Sequence, residues 1–515
     1  ETGAAKGRLR TDECGLRFVE VVVNGPKSWS LAATLHPEIA AAYDAAQDKA
    51  AAEIIGWLAE HATTRVGPRG RQVQVGVEKL EAAVVRHYTS RAGDPHRHLH
   101  LQINARVFAA GAWRGLHSVG VVDSIEAING IGHAAVMCDP EFRGVLAAHG
   151  YTLEPESGEV VELAPYTGAF SARAAQITRN IDRYEAQWRS EHPGQEPGPS
   201  LRRTWDRRAW AQARPDKVVP TDGADLRRRW IEELRELGFT PPPPTTDLGV
   251  DPPALGTPIG RINRDAVVGL VLSRLGARRS SWNTADIRGE VERIVAAVDV
   301  VAPAPVRREL AEDLTARTLQ RCVPLLARDD VPEHVRALTS QCVLDVEADL
   351  ITRLATRADQ PAAATRVGGT VAGHRLDDAQ QQVVAALGGT ATLLVIEGAA
   401  GAGKTTTLAA ARELLEMSEH RLVVVTPTLK AARVAQDQIG TPAYSAAWLI
   451  HQHGYRWDND GHWTRVETQP DARARLLPGD VLLVDLCRSR NYADYSLVLW
   501  GSVEGGGAGG LCVCD

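Results

Sequence analysis

The chain is short of several things, and each shortage excludes something. It has no excess of positive charge: 58 Lys and Arg stand against 64 Asp and Glu, for a formal net charge of -6 and a pI near 6.3. Contact with nucleic acid therefore has to come from local patches, not from a uniformly basic coat. It has seven cysteines (Cys14, Cys138, Cys322, Cys342, Cys487, Cys512 and Cys514), an odd, mostly scattered set without paired metal-ligand spacing. That points to a reducing, cytoplasmic compartment. No apolar run approaches the ~20 residues that span a bilayer, and no charged-then-apolar leader opens the chain, so membrane insertion is not expected. A first methionine is lacking too: Glu1 stands there, and the strand-like "RFVEVVVN" follows almost at once. The expectation is that the natural beginning is missing.

What is present suffices for more than one folded domain, since 515 residues with 44% hydrophobic and 24% charged side chains can bury several cores. Residues 17 to 165 mix strand-like stretches ("RFVEVVVN", "RQVQVGVE", "AAVVRHY", "HLHLQINARVF") with Ala-rich helical text. Short turns between neighbouring strands favour antiparallel hairpins, hence an α+β domain. Residues 170 to 240 turn helical and basic, "TPPPPTTDLGVDPPALGTP" reads as a stiff linker, and 262 to 357 read as a helical spacer. From "HRLDDAQQQVVAAL" a second domain opens and runs to "DVLLVDL". The expected layout is 1–190, 191–260, 261–370, 371–486 and an irregular tail, 487–515.

"DPHRHLHLQIN" places His96, His98 and His100 at alternate positions, followed in phase by Gln102 and Asn104. On a strand these face one way while Leu99, Leu101 and Ile103 face the other. The preceding "VVRHY" can fold back through "TSRAGDP" and bring His87 beside His98 and His100. Three imidazoles on one sheet face suit a metal site with open positions, as phosphoryl or acyl chemistry needs. A His-rich, solvent-facing strand is the alternative.

"HYTSRAGDPHRHLHLQIN" resembles the metal motif of the MobF-type conjugative relaxases of the HUH endonuclease superfamily. The resemblance places the metal ligands on His87, His98 and His100 and leaves His96 on a variable turn position. "VVVNGPKSWS" is similar to the family's Pro-Lys-Ser segment, with Glu20 at the acidic position before Pro26 and Lys27 beside it. It implies a divalent metal (Mg, Mn or Zn), hairpin and single-stranded DNA at a transfer origin as partner, nicking by a tyrosine hydroxyl, a coupling protein of the conjugation pore, and DNA contacts from Lys27 and Arg91. Glu20 would orient a ligand or accept the tyrosine proton. No tyrosine precedes Tyr43, which lies in the Ala-rich helix, and Tyr88 should point to the opposite sheet face as core packing.

"GAAGAGKT" matches GxxxxGK[ST] between an apolar strand and a helix. Such a loop cradles phosphates with backbone N–H groups, while Lys and Thr reach the outer phosphates and Mg²⁺. The residues are Gly398, Ala399, Ala400, Gly401, Ala402, Gly403, Lys404, Thr405 and Thr406. "LDDAQ" resembles the adenine-reading motif of RecD-like superfamily 1 helicases, on Gln380, and "VLLVDL" supplies Asp485 for Mg²⁺. The implied cofactor is ATP with Mg²⁺. Leu486 stands where that family has Glu, and the later motifs are absent, so a truncated helicase without turnover is expected. Between 201 and 230, Arg202, Arg203, Arg207, Arg208, Trp205 and Trp210 either hold a DNA strand or form a solvated packing face. A non-catalytic DNA- and nucleotide-binding remnant and a His-ligated metallohydrolase stay open beside the relaxase-helicase reading.

Overall fold

The computed structural model describes residues 15–191, 199–211, 223–245, 256–328, 330–367, 370–371, 373–398, 402–458, 460–485 and 510–514. They fall into two compact units, residues 1–182, 204–275 and 281–338 in the first, and 183–203, 276–280 and 339–515 in the second.

The first unit is built on a three-stranded antiparallel sheet. Its strands are β1 (Phe18–Asn24), β2 (Ala82–Thr89) and β3 (Pro95–Asn104), with β3 in the centre. The period-two pattern sets the faces: Val21, Val23, Leu99, Leu101 and Ile103 are buried. Against that side lie α1 (Lys27–Leu35) and α2 (Pro37–His61). The apolar stripe of α2 recurs at three- and four-residue intervals, Ile39, Ala42, Tyr43, Ala46, Ala50, Ile54 and Leu58, all nearly inaccessible to water. Its alanines let the helix lie close to the sheet, and Trp29 of α1 meets Tyr43 edge to face at 5.5 Å. The opposite face carries the histidines.

The helical stretch beyond residue 261 is no spacer. Helix Thr284–Ala297 packs on helix Ile125–Met137 within the first unit. Gly130 and Gly289 meet so closely that a Cβ on Gly130 would lie 2.5 Å from the Gly289 carbonyl oxygen. Only glycines permit that approach. A buried ionic network ties helix Thr284–Ala297 to helix Ala304–Gln320 and to α2: Arg307, 1% exposed, pairs with Glu292 at 2.5 Å and with Glu53 of α2, and Arg288 pairs with Glu292 at 2.9 Å. The expected boundary at 261 is therefore corrected. Neither amphipathic period nor composition showed which helix these buried charges would meet. Part of the Pro-rich linker is docked as well, with Thr245 Oγ1 donating to the Ala147 carbonyl.

The second unit holds a five-stranded parallel sheet in the order Leu393–Ile396, Gly510–Cys514, Val481–Asp485, Leu422–Thr426, Ala443–Ser445. Strand Leu422–Thr426 is buried throughout, as a parallel strand covered on both faces must be. The tail expected to be irregular supplies one of these strands, placed between the strand before the phosphate loop and the strand ending in Asp485. Backbone pairing inside an existing sheet determines this, not a period visible in "GLCVC".

Candidate metal centre and phosphate loop

Register brings the histidines together. In β3, His98 pairs with Asn24 of β1 and His87 of β2, while His100 pairs with Val22 and Val85. Paired residues share a face, so His87, His98 and His100 converge: one ligand nitrogen from each lies within 4.8 Å of the others. Their ring centroids are 4.7 to 5.2 Å apart.

Two of the rings are oriented by oxygen acceptors. His98 Nδ1 lies 2.9 Å from the His96 carbonyl oxygen, and His100 Nδ1 lies 3.0 Å from Glu20 Oε1. A carbonyl or carboxylate oxygen accepts, so both Nδ1 atoms carry a proton, and in the neutral ring that leaves Nε2 with its lone pair. Burial pushes His98 down to about 4, with further depression from His100 and His87; it is neutral at ordinary pH, the state a ligand needs. The three side chains therefore fit a divalent cation. His96 stands outside the convergent group; burial, with Lys27 and the neighbouring histidines, lowers it to about 3.

Lys27 is half-buried, and its Nζ donates to the Pro95 carbonyl at 3.1 Å. Burial lowers its pKa, opposed by Asp94. It pins the start of β3 beside the histidines and is not spread on an open surface. Arg91 is exposed in the turn between β2 and β3. Arg202 is partly exposed and lies 3.7 Å from Glu185. Trp205 is 5% exposed; of the two readings open for it, packing and stacking on DNA bases, its burial favours packing, since a ring enclosed by protein offers no free face. The side chains of Arg203 and Trp210 lie outside the described residues. Tyr88 faces away from the centre as expected, yet it is no core residue, being 51% exposed. Tyr43 is fully enclosed, and burial raises its pKa.

Sequence reasoning missed a basic ribbon. Strands Thr63–Val66 and Val73–Gly76 form a two-stranded hairpin whose exposed connection carries Arg69 and Arg71, with Arg65 at its base. Gly67 and Gly70 take positive φ there, 113° and 87°. "TTRVGPRGRQVQVG" contains no acidic residue, the signal that could have found it.

In the second unit, Gly403 takes the left-handed conformation (φ 75°) at the start of helix Lys404–Met417. Lys404 Nζ donates to the Gly398 carbonyl at 2.6 Å, and Gln380 Nε2 donates to that of Ala402 at 3.2 Å. Gln380 also closes a reciprocal cap with Asp377. A cavity of about 170 Å³ lies here, lined by Asp377, Gln380, Val383, Ile396 and Lys404 among others. Thr405 and Thr406 sit in the first helical turn. Ala399, Ala400 and Gly401, and the side chain of Asp485, lie outside the described residues.

Comparison with known proteins agrees with this division. Residues 1–237 match the TrwC relaxase family and residues 375–486 an AAA domain family. No curated protein matches the chain significantly. Among solved structures, a conjugative relaxase TrwC in complex with OriT DNA, metal-free, is 25% identical over 47% of this chain and 79% of its own, at a TM-score of 0.36. A TrwC complex with a 27-mer DNA comprising the recognition hairpin and the cleavage site is 26% identical over 43% and 74%, at 0.33. At these scores the overall likeness adds nothing to the family matches. Residues 1–237 are thus a TrwC relaxase domain of α+β fold, followed in the same chain by an AAA domain on a parallel sheet.

Proposed function

We propose that the relaxase unit holds a divalent cation on His87, His98 and His100 and uses that centre to bind and nick single-stranded DNA beside a hairpin, as at a transfer origin. The observation that carries this is the convergence of three imidazoles of which two have Nδ1 committed to oxygen acceptors. The bound ion, Mg²⁺, Mn²⁺ or Zn²⁺, would polarise the scissile phosphate and neutralise its charge while a water oxygen would attack phosphorus, the P–O bond to the 3′ oxygen breaking and that oxygen leaving with a proton from the water. Glu20 holds His100 in its tautomer; the half-buried ammonium of Lys27 adds positive charge beside the centre. Duplex DNA has a partner in the basic ribbon, because a two-stranded β-ribbon fits the major groove. The solved TrwC relaxases hold OriT DNA, and the match of residues 1–237 to the TrwC relaxase family supports the same substrate class here.

Neither Tyr43, enclosed behind the sheet, nor Tyr88, on the opposite face, is placed to attack a phosphate at the centre. This favours a second reading, a DNA- and nucleotide-binding remnant without catalysis. The AAA unit takes ATP with Mg²⁺ on the loop from Gly398 to Thr405 and on Asp485. With Leu486 in place of the water-activating Glu, ATP is bound without turnover. The setting is the cytoplasm, and a conjugation-pore coupling protein is the protein partner.

Labelled hairpin-plus-single-strand DNA, incubated with the full chain and Mn²⁺ and run on a denaturing gel, tests this reading. The expected result is slow nicking that disappears with a chelator and in His98→Ala, persists in His96→Ala, and leaves no protein-linked band. Binding without nicking selects the remnant. Nicking that survives both the chelator and His98→Ala would overturn the metal centre, and a linked band lost in Tyr43→Phe or Tyr88→Phe would make that tyrosine the nucleophile.

A further inference from the structure

A groove of about 630 Å³ lies along the outer edge of β2, between that strand, α1 and helix Gly223–Glu236. It is within the ~300–1,000 Å³ of ordinary ligand sites. We propose that it is a nucleobase pocket, taking one unstacked base of the single strand whose backbone lies on the histidine centre, with Tyr88 as the stacking surface. The proposal rests on the relaxase reading and names a subsite within it.

Tyr88 stands where the pairing of β2 with β3 breaks, between His87 and Thr89. The Arg97 guanidinium lies 4.7 Å from its ring centroid, and that guanidinium is held by both oxygens of Asp44, at 2.8 and 2.7 Å. The ring is thus supported from one side by a fixed cation while half of it stays exposed. An aromatic side chain in a packed core would be covered on both faces; this one is a platform. Leu226 and Trp230 give the groove an apolar wall. The helix bearing them is fastened at two points: the Trp230 indole donates to the Gly93 carbonyl at 3.0 Å, and Arg227 Nε donates to the Thr34 carbonyl at 2.7 Å.

A flat slot with a supported ring and an apolar wall suits a heteroaromatic base, whose faces stack and whose edges hydrogen-bond. Continuity with the centre chooses the occupant. His87 lines the groove and also belongs to the ligand cluster, and β2 is an edge strand, so a DNA strand with a phosphate at the histidines reaches the groove by passing over that edge and sets an adjacent base beside Tyr88 on the other face.

The test uses the full chain with Mn²⁺ and single-stranded oligonucleotides carrying 5-iodouracil at successive positions. Photo-crosslinks are mapped by mass spectrometry and affinity is read by anisotropy. Crosslinks should map to Tyr88. Tyr88→Ala should weaken DNA binding roughly 10- to 100-fold, the worth of one base stacked on an aromatic ring, and Tyr88→Phe should restore it. An abasic site at the crosslinked position should weaken the wild type equally and leave Tyr88→Ala no weaker. Mn²⁺ affinity should be the same in all three proteins. Unchanged DNA affinity in Tyr88→Ala, or crosslinks only at other elements, overturns the pocket and leaves the relaxase reading standing. A wild type that binds neither Mn²⁺ nor single-stranded DNA overturns the relaxase reading and the pocket with it.

Discussion

Glu20 Oε1 lies 3.0 Å from His100 Nδ1, on a strand paired so that Val22, two residues on, stands directly opposite His100. The carboxylate thus reaches diagonally across one face and fixes the ring. Outer carboxylates of this kind typically contribute 10- to 100-fold to metal affinity. Glu20→Ala should therefore weaken Mn²⁺ binding by roughly that factor, and Glu20→Gln, which keeps an oxygen acceptor, by less. Calorimetry checks it. Equal affinity in all three proteins would show that His100 is oriented by something else.

Arg69 and Arg71 sit in the exposed connection of the ribbon. If each meets a phosphate, removing one should flatten the dependence of log K on log salt by about 0.9 and weaken all duplex sequences alike. Titrations of hairpin DNA at several salt concentrations with Arg69→Ala and Arg71→Ala decide it. An unchanged slope would place the ribbon away from DNA.

Lys404 lies against the Gly398 carbonyl within the loop, and a nucleotide's phosphates would take its ammonium from there. Lys404→Ala should abolish ATP binding, measured with a fluorescent analogue, while the wild type binds without hydrolysing. DNA-stimulated phosphate release that depends on Lys404 would refute the role given to Leu486.

Arg307 is enclosed between Glu292 and Glu53. Deleting one member of a buried ionic group leaves the others charged and unpaired, at a cost of about 3–5 kcal/mol. Arg307→Ala should lower the melting temperature of the relaxase unit by many degrees. A melting temperature close to wild type would mean that water enters and solvates the two glutamates.

The local chemistry of both sites was readable in the amino-acid order. Alternation in "HLHLQIN" placed His98 and His100 on one face and Leu99, Leu101 and Ile103 on the other, because a strand's period is two whatever its neighbours. The glycines and lysine of "GAAGAGKT" announced the phosphate loop for a similar reason: positive φ at Gly403 and close backbone approach are properties of the residue type. Relations between distant segments were not readable. Which histidine Glu20 faces, which cation lies under Tyr88 and what encloses Trp205 depend on contacts that no local pattern encodes. An amphipathic helix likewise shows that it buries one face without showing against what. Helix Thr284–Ala297 could be assigned to the relaxase unit only once Gly130 and Gly289 met and Glu292 found Arg307, since packing distance and charge pairing are set by the assembled core.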